Sequence, residues 1–409
     1  MISSKRVNRD LNPDHTKVAF LYTTFPRPTE TFVRRELTEL NKLGIFPSIY
    51  SIWKGKSPWE DLEVRLFKPY NIFSLFFWLP YWAWKKPRAF KMVLSHLWSN
   101  ECPNLQNWNE TFWGLAFGLI RAKHFDESDY DRIHAVWATM PATAALAINQ
   151  LVDIPFSMGA HAYDVFRHQG DWMLQLKLKY AKAIRTSSRS TAFRLTCLGL
   201  DSDRLVLIHR SLKVMPERTD LALINQDRLS LLCVGRLVEK KGYFRLIEIL
   251  KLLAERKIPF HLDLIGSGPL KREIILGLKR SRIDQYVNLR GYLSEDETVS
   301  LYLQNDVLLF PGIVASNGDR DGIPNVIPES MAAGLLVIGS NLAGSSEAFD
   351  HKQSGFSLDP YDPAPWVDIL EEFYCFPEKF VGLRKSAMHR AREIFSGNVN
   401  CQKLKLFIS

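Results

Sequence analysis

Short apolar segments of strand length alternate with amphipathic segments of helical period along most of the chain. In the N-terminal half, the segments 17–25, 132–138 and 154–162 are apolar enough for buried strands. The first is followed by a predicted helix at about 29–43, which places Gly44 just after its end. Strands this apolar must be covered on both faces, so we expect parallel sheets with helices on each side.

The alternation is more regular in the C-terminal half. It predicts strands at 228–237, 260–268, 286–293, 305–312 and 335–340. The first is followed by a predicted helix from Gly242 to about Glu255, and Ser294 and Glu297 form a capping box that begins another helix. This half of the chain is therefore interpreted as a second doubly wound α/β domain.

The polar stretch 211–228 contains no strand pattern and is the predicted linker. A chain of 409 residues has room for two domains, which we place at 1–210 and 229–385. The region 53–125 fits this scheme poorly, because it is rich in Trp and Phe and shows no clean alternation.

Composition narrows the class of protein without choosing a partner. The 53 Lys and Arg exceed the 44 Asp and Glu, giving a net charge of +9 that suits anionic ligands, an anionic membrane surface or nucleic acid. The five cysteines are scattered without zinc spacing, as expected for reduced thiols in a cytoplasmic protein. No signal peptide is visible, and the longest uncharged run, 69–84, is too short for a membrane span.

Two cations follow the first strand of the second domain. The segment "VGRLVEKKG" places Arg236 and Lys241 on one loop before a helix, where fixed positive charge favours an anion such as a diphosphate. The alternative is a pair of solvated surface charges, and position alone does not decide between them.

A glycine-rich turn follows the next strand. The segment "IGSGPLKRE" resembles a nucleotide-binding turn but lacks the third glycine of G-x-G-x-x-G. Tight packing of a strand against a helix explains Gly266 and Gly268 equally well.

The segment "DGIPNVIPESMAAG" places two acids, Asp321 and Glu329, around a rigid turn. Gly322 and Pro324 restrict the backbone after the first acid. Glu329 falls in the first turn of a predicted short helix, where the helix dipole favours an anion. Individually, the two acids are explained by a turn and by helix-end electrostatics.

The combination of these segments is more specific than any one of them. Arg236, Lys241, "GSGPL", "DGIPNVIPESMAAG" and "AGSSEAF" occur in order, each after a predicted strand. This order resembles glycosyltransferase family 4, the retaining nucleotide-sugar transferases of the GT-B fold. "FPRPTETFVRRELTEL", "IHAVWA" and "GAHAYDVF" resemble the branch that builds bacterial exopolysaccharides. The resemblance implies two Rossmann-like domains facing a cleft, with a C-terminal helix at 386–409 that crosses back to the N-domain.

The resemblance also implies roles for particular residues. Glu329 would hold the ribose hydroxyls of the donor, and Asp321 would contact the transferred sugar. Arg236 and Lys241 would bind the diphosphate, and His161 would lie across the cleft beside the donor sugar. The implied catalytic set is Asp321, His161, Arg236 and Lys241. The implied donor-binding set is Arg236, Lys241, Gly266, Gly268, Asp321, Gly322, Asn325, Glu329, Gly344 and Ser345.

The function that follows is retaining transfer of a sugar from a UDP- or GDP-sugar to a glycan or lipid-linked acceptor in polysaccharide biosynthesis. We expect no metal, no other cofactor and no nucleic-acid partner. One alternative is a non-catalytic nucleotide-sugar-binding relative, since the chain has Asp321 where the family more often has Glu. Another is an NAD-dependent oxidoreductase, whose G-x-G-x-x-G fingerprint after the first strand is absent.

Three further signals are weighed separately. The D-x-D triplets at 129–131, 201–203 and 319–321 would suggest a metal-dependent transferase of another fold, but triplets of this kind also arise by chance. His134 beside a strand is interpreted as structural. The aromatic stretch 70–91 with its basic end is similar to an interfacial anchor at the inner face of the plasma membrane, or else forms core or lid of the N-domain.

Overall fold

The computed structural model describes residues 16–27, 30–56, 62–99, 101–212, 215–216 and 218–408. The predicted helix start at Thr29 and part of the predicted linker, including Lys213, lie outside the described residues. The chain divides into two compact units. The first contains the residues up to Thr186 with Ala192–Ile208 and the segment from Asn398 onward, and the second contains Ser187–Thr191 and His209–Gly397.

The first unit is built on a seven-stranded parallel sheet. Its strands are β1 (Val18–Phe25), β2 (Ser48–Lys54), β3 (Val64–Leu66), β4 (Arg132–Ala135), β5 (Phe156–Gly159), β6 (Ala183–Thr186) and β7 (Leu205–Leu207). They lie in the order β3-β2-β1-β4-β5-β6-β7, so the order reverses between β1 and β4. This is the doubly wound order of a Rossmann-like domain.

The second unit repeats the design with a six-stranded parallel sheet. Its strands are β8 (Leu229–Val234), β9 (Phe260–Ile265), β10 (Val287–Gly291), β11 (Val307–Phe310), β12 (Leu336–Ser340) and β13 (Phe356–Leu358). They lie in the order β10-β9-β8-β11-β12-β13, with the reversal between β8 and β11. Two parallel α/β domains are therefore confirmed.

Helices cover the faces of both sheets. They are α1 (Thr31–Lys42), α2 (Leu75–Lys85), α3 (Pro87–Ser99), α4 (Leu105–Glu127), α5 (Met140–Val152), α6 (Ala162–Phe166), α7 (Leu174–Tyr180), α8 (Arg189–Cys197), α9 (Tyr243–Glu255), α10 (Lys271–Arg280), α11 (Glu295–Leu303), α12 (Val326–Ala332), α13 (Ala364–Cys375), α14 (Val381–Ile394) and α15 (Gly397–Ile408). The capping box of α11 is confirmed, because the Ser294 backbone N–H donates to Glu297 Oε2 at 2.8 Å.

Apart from the end of β2 and the short strand β3, most of the described part of the aromatic region 53–125 is helical. It forms α2, α3 and most of α4, and α4 packs closely against the alanine-rich α5. A Cβ atom on Gly118 would lie 2.5 Å from the Cβ of Ala147, so this contact excludes larger residues. Close approach of α4 to α5 brings the first turns of α4 beside the carboxyl end of β4.

The last helix, α15, belongs to the first unit. Leu404, Phe407 and Ile408 are buried in the same hydrophobic cluster as Phe20 of β1. His134 contacts this cluster through Phe407, with ring centroids 5.7 Å apart, and its Nδ1 lies 3.0 Å from Ser157 Oγ. His134 is buried, which lowers its pKa well below its ordinary value, and its packing in the core agrees with the structural interpretation.

Among the described residues, the helices are all too short or too polar to cross a bilayer.

Candidate active site

The candidate site lies at the carboxyl ends of β8 and β11, the two neighbours between which the strand order of the second sheet reverses. Loops that leave such neighbouring strands diverge to opposite faces and open a crevice, which is where doubly wound domains bind ligands. Lys240 and Lys241 lie on the loop after β8. Asp319 and Asp321 lie on the loop after β11.

These four side chains form one ion-pair cluster. Lys241 Nζ donates to Asp321 Oδ2 at 2.7 Å, and Lys240 Nζ lies 3.0 Å from Asp319 Oδ1 and 3.4 Å from Asp321 Oδ1. The Lys241 ammonium also lies 4.8 Å from the centre of the Phe310 ring, a cation–π contact. The structure thus brings together Lys241 and Asp321, two of the residues predicted from the sequence.

The charged groups of the cluster are shielded from bulk water, and the pKa values of two of them are shifted. Burial would raise the pKa of Asp321, but Lys241 and Lys240 outweigh it and hold that pKa below its ordinary value. Burial lowers the pKa of Lys241, and the charges of Lys240 and Arg236 act in the same direction. The carboxylate is therefore ionised at neutral pH, and the ammonium is more acidic than that of an ordinary lysine.

Backbone contact between the two loops fixes the position of the cluster. Gly242 has a φ of +71°, and a Cβ atom there would lie 1.7 Å from the Pro311 carbonyl oxygen. Glu239 ties the same loops together, because its carboxylate accepts from the Ser316 backbone N–H at 2.8 Å and from its hydroxyl at 2.9 Å. Only glycine fits after the two lysines, and it is supplied by the sequence "KKG".

Gly266 and Gly268 are explained by the packing of two loops. At Gly266, with a φ of +142°, a Cβ atom would lie 1.9 Å from the Gly235 carbonyl oxygen. A Cβ atom at Gly268 would lie 2.5 Å from the Leu237 carbonyl oxygen. The Leu237 N–H donates to the Ser267 carbonyl at 2.9 Å, so the two loops form one hydrogen-bonded layer. Backbone packing accounts for both glycines, and their assignment to donor binding stays a prediction.

The loops that carry Asp321 and Gly344 also meet backbone to backbone. The Gly344 N–H donates to the Asp321 carbonyl at 3.2 Å, and a Cβ atom on Gly344 would lie 2.6 Å from the Gly322 carbonyl carbon. Ser345 follows as a buried residue at the start of a short 3₁₀ turn, Ser345–Glu347. Gly322, Gly344 and Ser345 therefore lie beside the ion-pair cluster.

Glu329 is positioned by a hydrogen bond from a tyrosine hydroxyl. It lies one turn into α12, whose N-cap residue is Asn325. The hydroxyl of Tyr302, a buried side chain of α11, donates to Glu329 Oε2 at 2.9 Å. This hydrogen bond orients the Glu329 carboxylate.

Two of the residues predicted from the sequence, Arg236 and His161, do not belong to the ion-pair cluster. Arg236 lies on the loop after β8 with an exposed side chain. His161 belongs to the first unit and is buried at the N-cap of α6, where its ring packs edge-on against Trp137 with centroids 5.1 Å apart. The predicted strand 154–162 is shorter than expected, since β5 ends at Gly159.

The sequence interpretation missed Lys240, Asp319 and Tyr302. The first two had a signal, the doubled lysine and the D-x-D triplet at 319–321, but the triplet was considered only as a metal motif. Both of its acids are paired with lysines. Within the ranges that the structure describes, no group of three or more His, Cys, Asp or Glu side chains is arranged to hold a metal ion.

The chain is similar in sequence and in fold to known glycosyltransferases. Residues 217–389 match the family model described as glycosyl transferases group 1. WcaL of Salmonella typhimurium, assigned as a colanic acid biosynthesis glycosyltransferase, is 23% identical over 418 residues, covering 95% of this chain and 97% of that protein. The amylovoran biosynthesis glycosyltransferase AmsK of Erwinia amylovora is 29% identical over 185 residues, 45% of each chain.

Among solved structures, HepE of Anabaena in complex with UDP-glucose matches with a TM-score of 0.67. The match covers 95% of this chain and 98% of that chain at 16% identity, so it speaks for the fold. The chain thus has the two doubly wound sheets of the GT-B fold, and its residues 217–389 match the model of the glycosyl transferases group 1.

Proposed function

We propose that this enzyme transfers a sugar, with retention of configuration, from a nucleoside-diphosphate sugar to a glycan or lipid-linked acceptor of polysaccharide biosynthesis. The observation that carries the donor assignment is the Lys240, Lys241, Asp319 and Asp321 cluster at the strand-order reversal of the second sheet. The relatives named for colanic acid and amylovoran biosynthesis support the acceptor class. The neighbour bound to UDP-glucose supports a nucleotide-sugar donor, and we keep both UDP and GDP as candidates.

In the proposed reaction, the bond between the anomeric carbon and the diphosphate oxygen breaks, and its electron pair stays on the diphosphate. Lys241 and Arg236 stabilise the negative charge that develops there. Asp321 accepts hydrogen bonds from hydroxyls of the transferred sugar, while Glu329 accepts from the ribose. The acceptor hydroxyl attacks on the face that the diphosphate leaves, and its proton passes to the departing phosphate.

The same charge arrangement supports a reaction without a divalent metal. In this proposal the ammonium groups of Lys240 and Lys241 and the guanidinium of Arg236 supply the positive charge that a magnesium ion supplies in many phosphoryl-transfer enzymes. The acids that would otherwise bind a metal at 319–321 are paired with Lys240 and Lys241. Chelation with EDTA is expected to leave the rate unchanged.

The direct test is hydrolysis of a panel of UDP- and GDP-sugars by the purified enzyme, with release of the nucleoside diphosphate as the readout. We expect one base and one sugar to be preferred, and that nucleotide to raise the melting temperature. Stabilisation by NAD alone would favour the oxidoreductase alternative. Nucleotide binding without turnover of any donor, with acceptor extracts present, would favour the non-catalytic one.

We also propose that the stretch 70–91 contacts an anionic membrane surface from the cytoplasmic side. Trp82 belongs to the core, but Phe73, Phe76 and Trp84 are 81%, 91% and 81% exposed. The segment contains no acid, and its exposed basic residues, Lys85, Arg88 and Lys91, are close by in the chain. Exposed rings beside cations match interfacial lipid binding, in which each lysine or arginine near the surface contributes about 1 kcal/mol.

Co-sedimentation with vesicles tests the membrane contact. The wild-type protein is expected to pellet with vesicles of phosphatidylcholine and phosphatidylglycerol and to be released by salt, because the cationic attraction is screened. The double variant Phe76→Ser, Trp84→Ser is expected to stay in the supernatant. The control Phe46→Ser changes a ring that is 76% exposed elsewhere in the unit and should still pellet. Equal recovery of wild type with and without vesicles would remove the proposal.

A further inference from the structure

Two loops of the first unit meet beyond the carboxyl ends of β4 and β5. The loop after β4 carries Trp137 and Ala138, and the loop after β5 leads through His161 into α6. The rings of Trp137 and His161 pack edge-on with centroids 5.1 Å apart. His161 is the residue of this unit that the family resemblance assigns to the donor sugar, so the contacts that fix its position bear on the proposed reaction.

One carboxylate joins the two loops. Asp164 lies in the first turn of α6, and its side chain is buried, with 1% of the residue exposed. Its Oδ2 accepts from the Ala138 backbone N–H at 2.9 Å and from the His161 backbone N–H at 3.4 Å. Because Ala138 directly follows Trp137, the same oxygen holds the backbone on both sides of the contact between Trp137 and His161.

Asp164 and His161 contact each other a second time. They form a capping box, in which the His161 side chain accepts from the Asp164 backbone N–H while the Asp164 carboxylate accepts from the His161 backbone N–H. A ring nitrogen that accepts a hydrogen bond carries no proton, so the proton of the neutral ring is on the other nitrogen. The capping box therefore fixes both the orientation and the tautomer of the His161 ring.

Asp164 is surrounded by other ionisable groups. Asp171, which is also buried, pairs with the buried Lys177 ammonium, and Glu110 of α4 faces the same polar space. Burial raises the pKa of Asp164 to about 7, and the carboxylates of Asp171 and Glu110 act in the same direction, while the two backbone N–H donors oppose them. The charge of Asp164 therefore changes near neutral pH.

Neither a ligand nor stability accounts for a buried acid at this position. The polar space beside Asp164 has room for about one water. Asp164 Oδ1 has no hydrogen-bond partner among the groups that the structure describes, and burying an unpaired carboxylate oxygen costs stability. Serine or asparagine would cap the same helix end without burying a charge. The contacts that Asp164 makes with His161 and Ala138 are the remaining reason for its presence.

We propose that Asp164 is a positioning residue, which holds the backbone and the ring of His161 in the orientation that the transfer reaction needs. The inference rests on the proposed transferase function, since the family resemblance places His161 beside the donor sugar. In this role Asp164 does not touch the substrate and acts through His161. The ionised form is the active one, because a carboxylate accepts from backbone N–H groups more strongly than a carboxylic acid does.

Donor turnover by single and double variants tests whether Asp164 acts through His161. At about pH 8, Asp164→Ala and His161→Ala are each expected to lower kcat/KM for nucleoside-diphosphate release by about 10- to 100-fold, the usual effect of a misplaced contact. The double variant should lose no more than the more damaged single variant, because both substitutions remove the same contact. Losses that multiply in the double variant would show that Asp164 acts independently of His161 and would overturn the proposal.

The pH profile distinguishes positioning from a general effect on stability. Wild-type kcat/KM should fall between about pH 8 and about pH 6, as Asp164 takes up a proton. Asp164→Asn keeps an oxygen acceptor that does not titrate, so it should retain most of the activity at about pH 8 and lose this decline. The control Asp131→Asn changes a carboxylate that accepts from the Lys17 backbone N–H at 2.8 Å, at the other end of β4, and should keep the wild-type profile. An unchanged decline in Asp164→Asn contradicts the proposed role.

NMR of isotope-labelled histidine separates this proposal from the transferase proposal. The His161 ring signals, identified by their loss in His161→Ala, should show one tautomer in the wild type and a mixture in Asp164→Ala. A cooperative melting transition shows that the variants are folded. If the wild type turns over no donor, the transferase proposal fails, and the ring signals alone decide the positioning role. A single tautomer that persists in Asp164→Ala overturns it.

Discussion

Replacing Lys241 with alanine is expected to lower kcat/KM for the nucleotide-sugar donor by about 100- to 1,000-fold, the usual effect of removing one preorganised group that stabilises a developing charge. Lys241 is the ammonium that lies nearest Asp321, at 2.7 Å. The fold should survive, because Lys240 still lies 3.4 Å from the same carboxylate and compensates its charge. Initial rates of nucleoside-diphosphate release, with donor far below KM, measure the effect.

The matched control is Lys251→Ala, which removes an exposed lysine from the helix that follows the same loop. The pH profile gives an independent readout. Because the pKa of Lys241 is lowered, the wild-type enzyme should lose its ammonium, and kcat/KM with it, as pH rises, at a pH below that of an ordinary lysine. Lys241→Arg should not show this alkaline decline. A loss of less than about tenfold in Lys241→Ala would contradict the role given to the cluster.

Replacing Glu329 with alanine is expected to raise KM for the donor by about 10- to 100-fold while kcat changes little. The carboxylate is proposed to bind ribose hydroxyls, which do not change charge in the reaction, so its hydrogen bonds contribute equally before and during bond breaking. A hydrogen bond to a charged group contributes about 1.5 to 3 kcal/mol, which sets the size of the effect. Steady-state kinetics on the preferred donor give both constants.

Tyr302→Phe provides the graded comparison. This substitution removes the hydroxyl that donates to Glu329 Oε2 at 2.9 Å but keeps the carboxylate itself. We therefore expect a smaller rise in KM, below about tenfold. The order wild type, Tyr302→Phe, Glu329→Ala should appear in the affinity for the free nucleoside diphosphate as well. If Glu329→Ala binds that nucleotide as tightly as wild type, the acid has another role.

The pairing within the cluster has a consequence for substrate binding. In the described structure Lys241 Nζ donates to Asp321 Oδ2. In the donor site that we propose, the diphosphate would compete with Asp321 for this ammonium, and hydroxyls of the sugar would donate to Asp321 in its place. An intact nucleotide sugar would supply both groups at once, which predicts tighter binding than that of free nucleotide or free sugar.

The fold was predictable from the sequence where periodicity was strong. The strands near Val18, Leu229, Phe260 and Val307 are confirmed, because parallel strands buried on both faces leave continuous apolar runs. The helices α2 to α4 were missed. In α2 and α4, exposed rings such as Phe76, Trp84 and Trp108 remove the contrast between a buried and a polar face that reveals a helix. Hydrophobic periodicity does not reveal a helix whose apolar rings are exposed to solvent.

Charged residues of the candidate site could be predicted from the sequence, but the ion pairs that they form could not. Adjacency in the sequence does not say that Lys240 turns toward Asp319 while Lys241 turns toward Asp321, since this depends on the contact between Gly242 and Pro311. Tyr302 carried no local signal, because a tyrosine on a helix is usually core. Its hydroxyl acquires a role only when α11 and α12 are brought together.

The first unit contains segments from both ends of the chain, and this affects the order in which the two units can complete their folding during synthesis. Strand β1 leaves the ribosome early, but Leu404, Phe407 and Ile408, which cover part of its hydrophobic cluster, are synthesised about 380 residues later. The complete second unit emerges in between. Part of the core of the first unit is therefore uncovered while the second unit is synthesised. The second unit can fold before the first unit is complete.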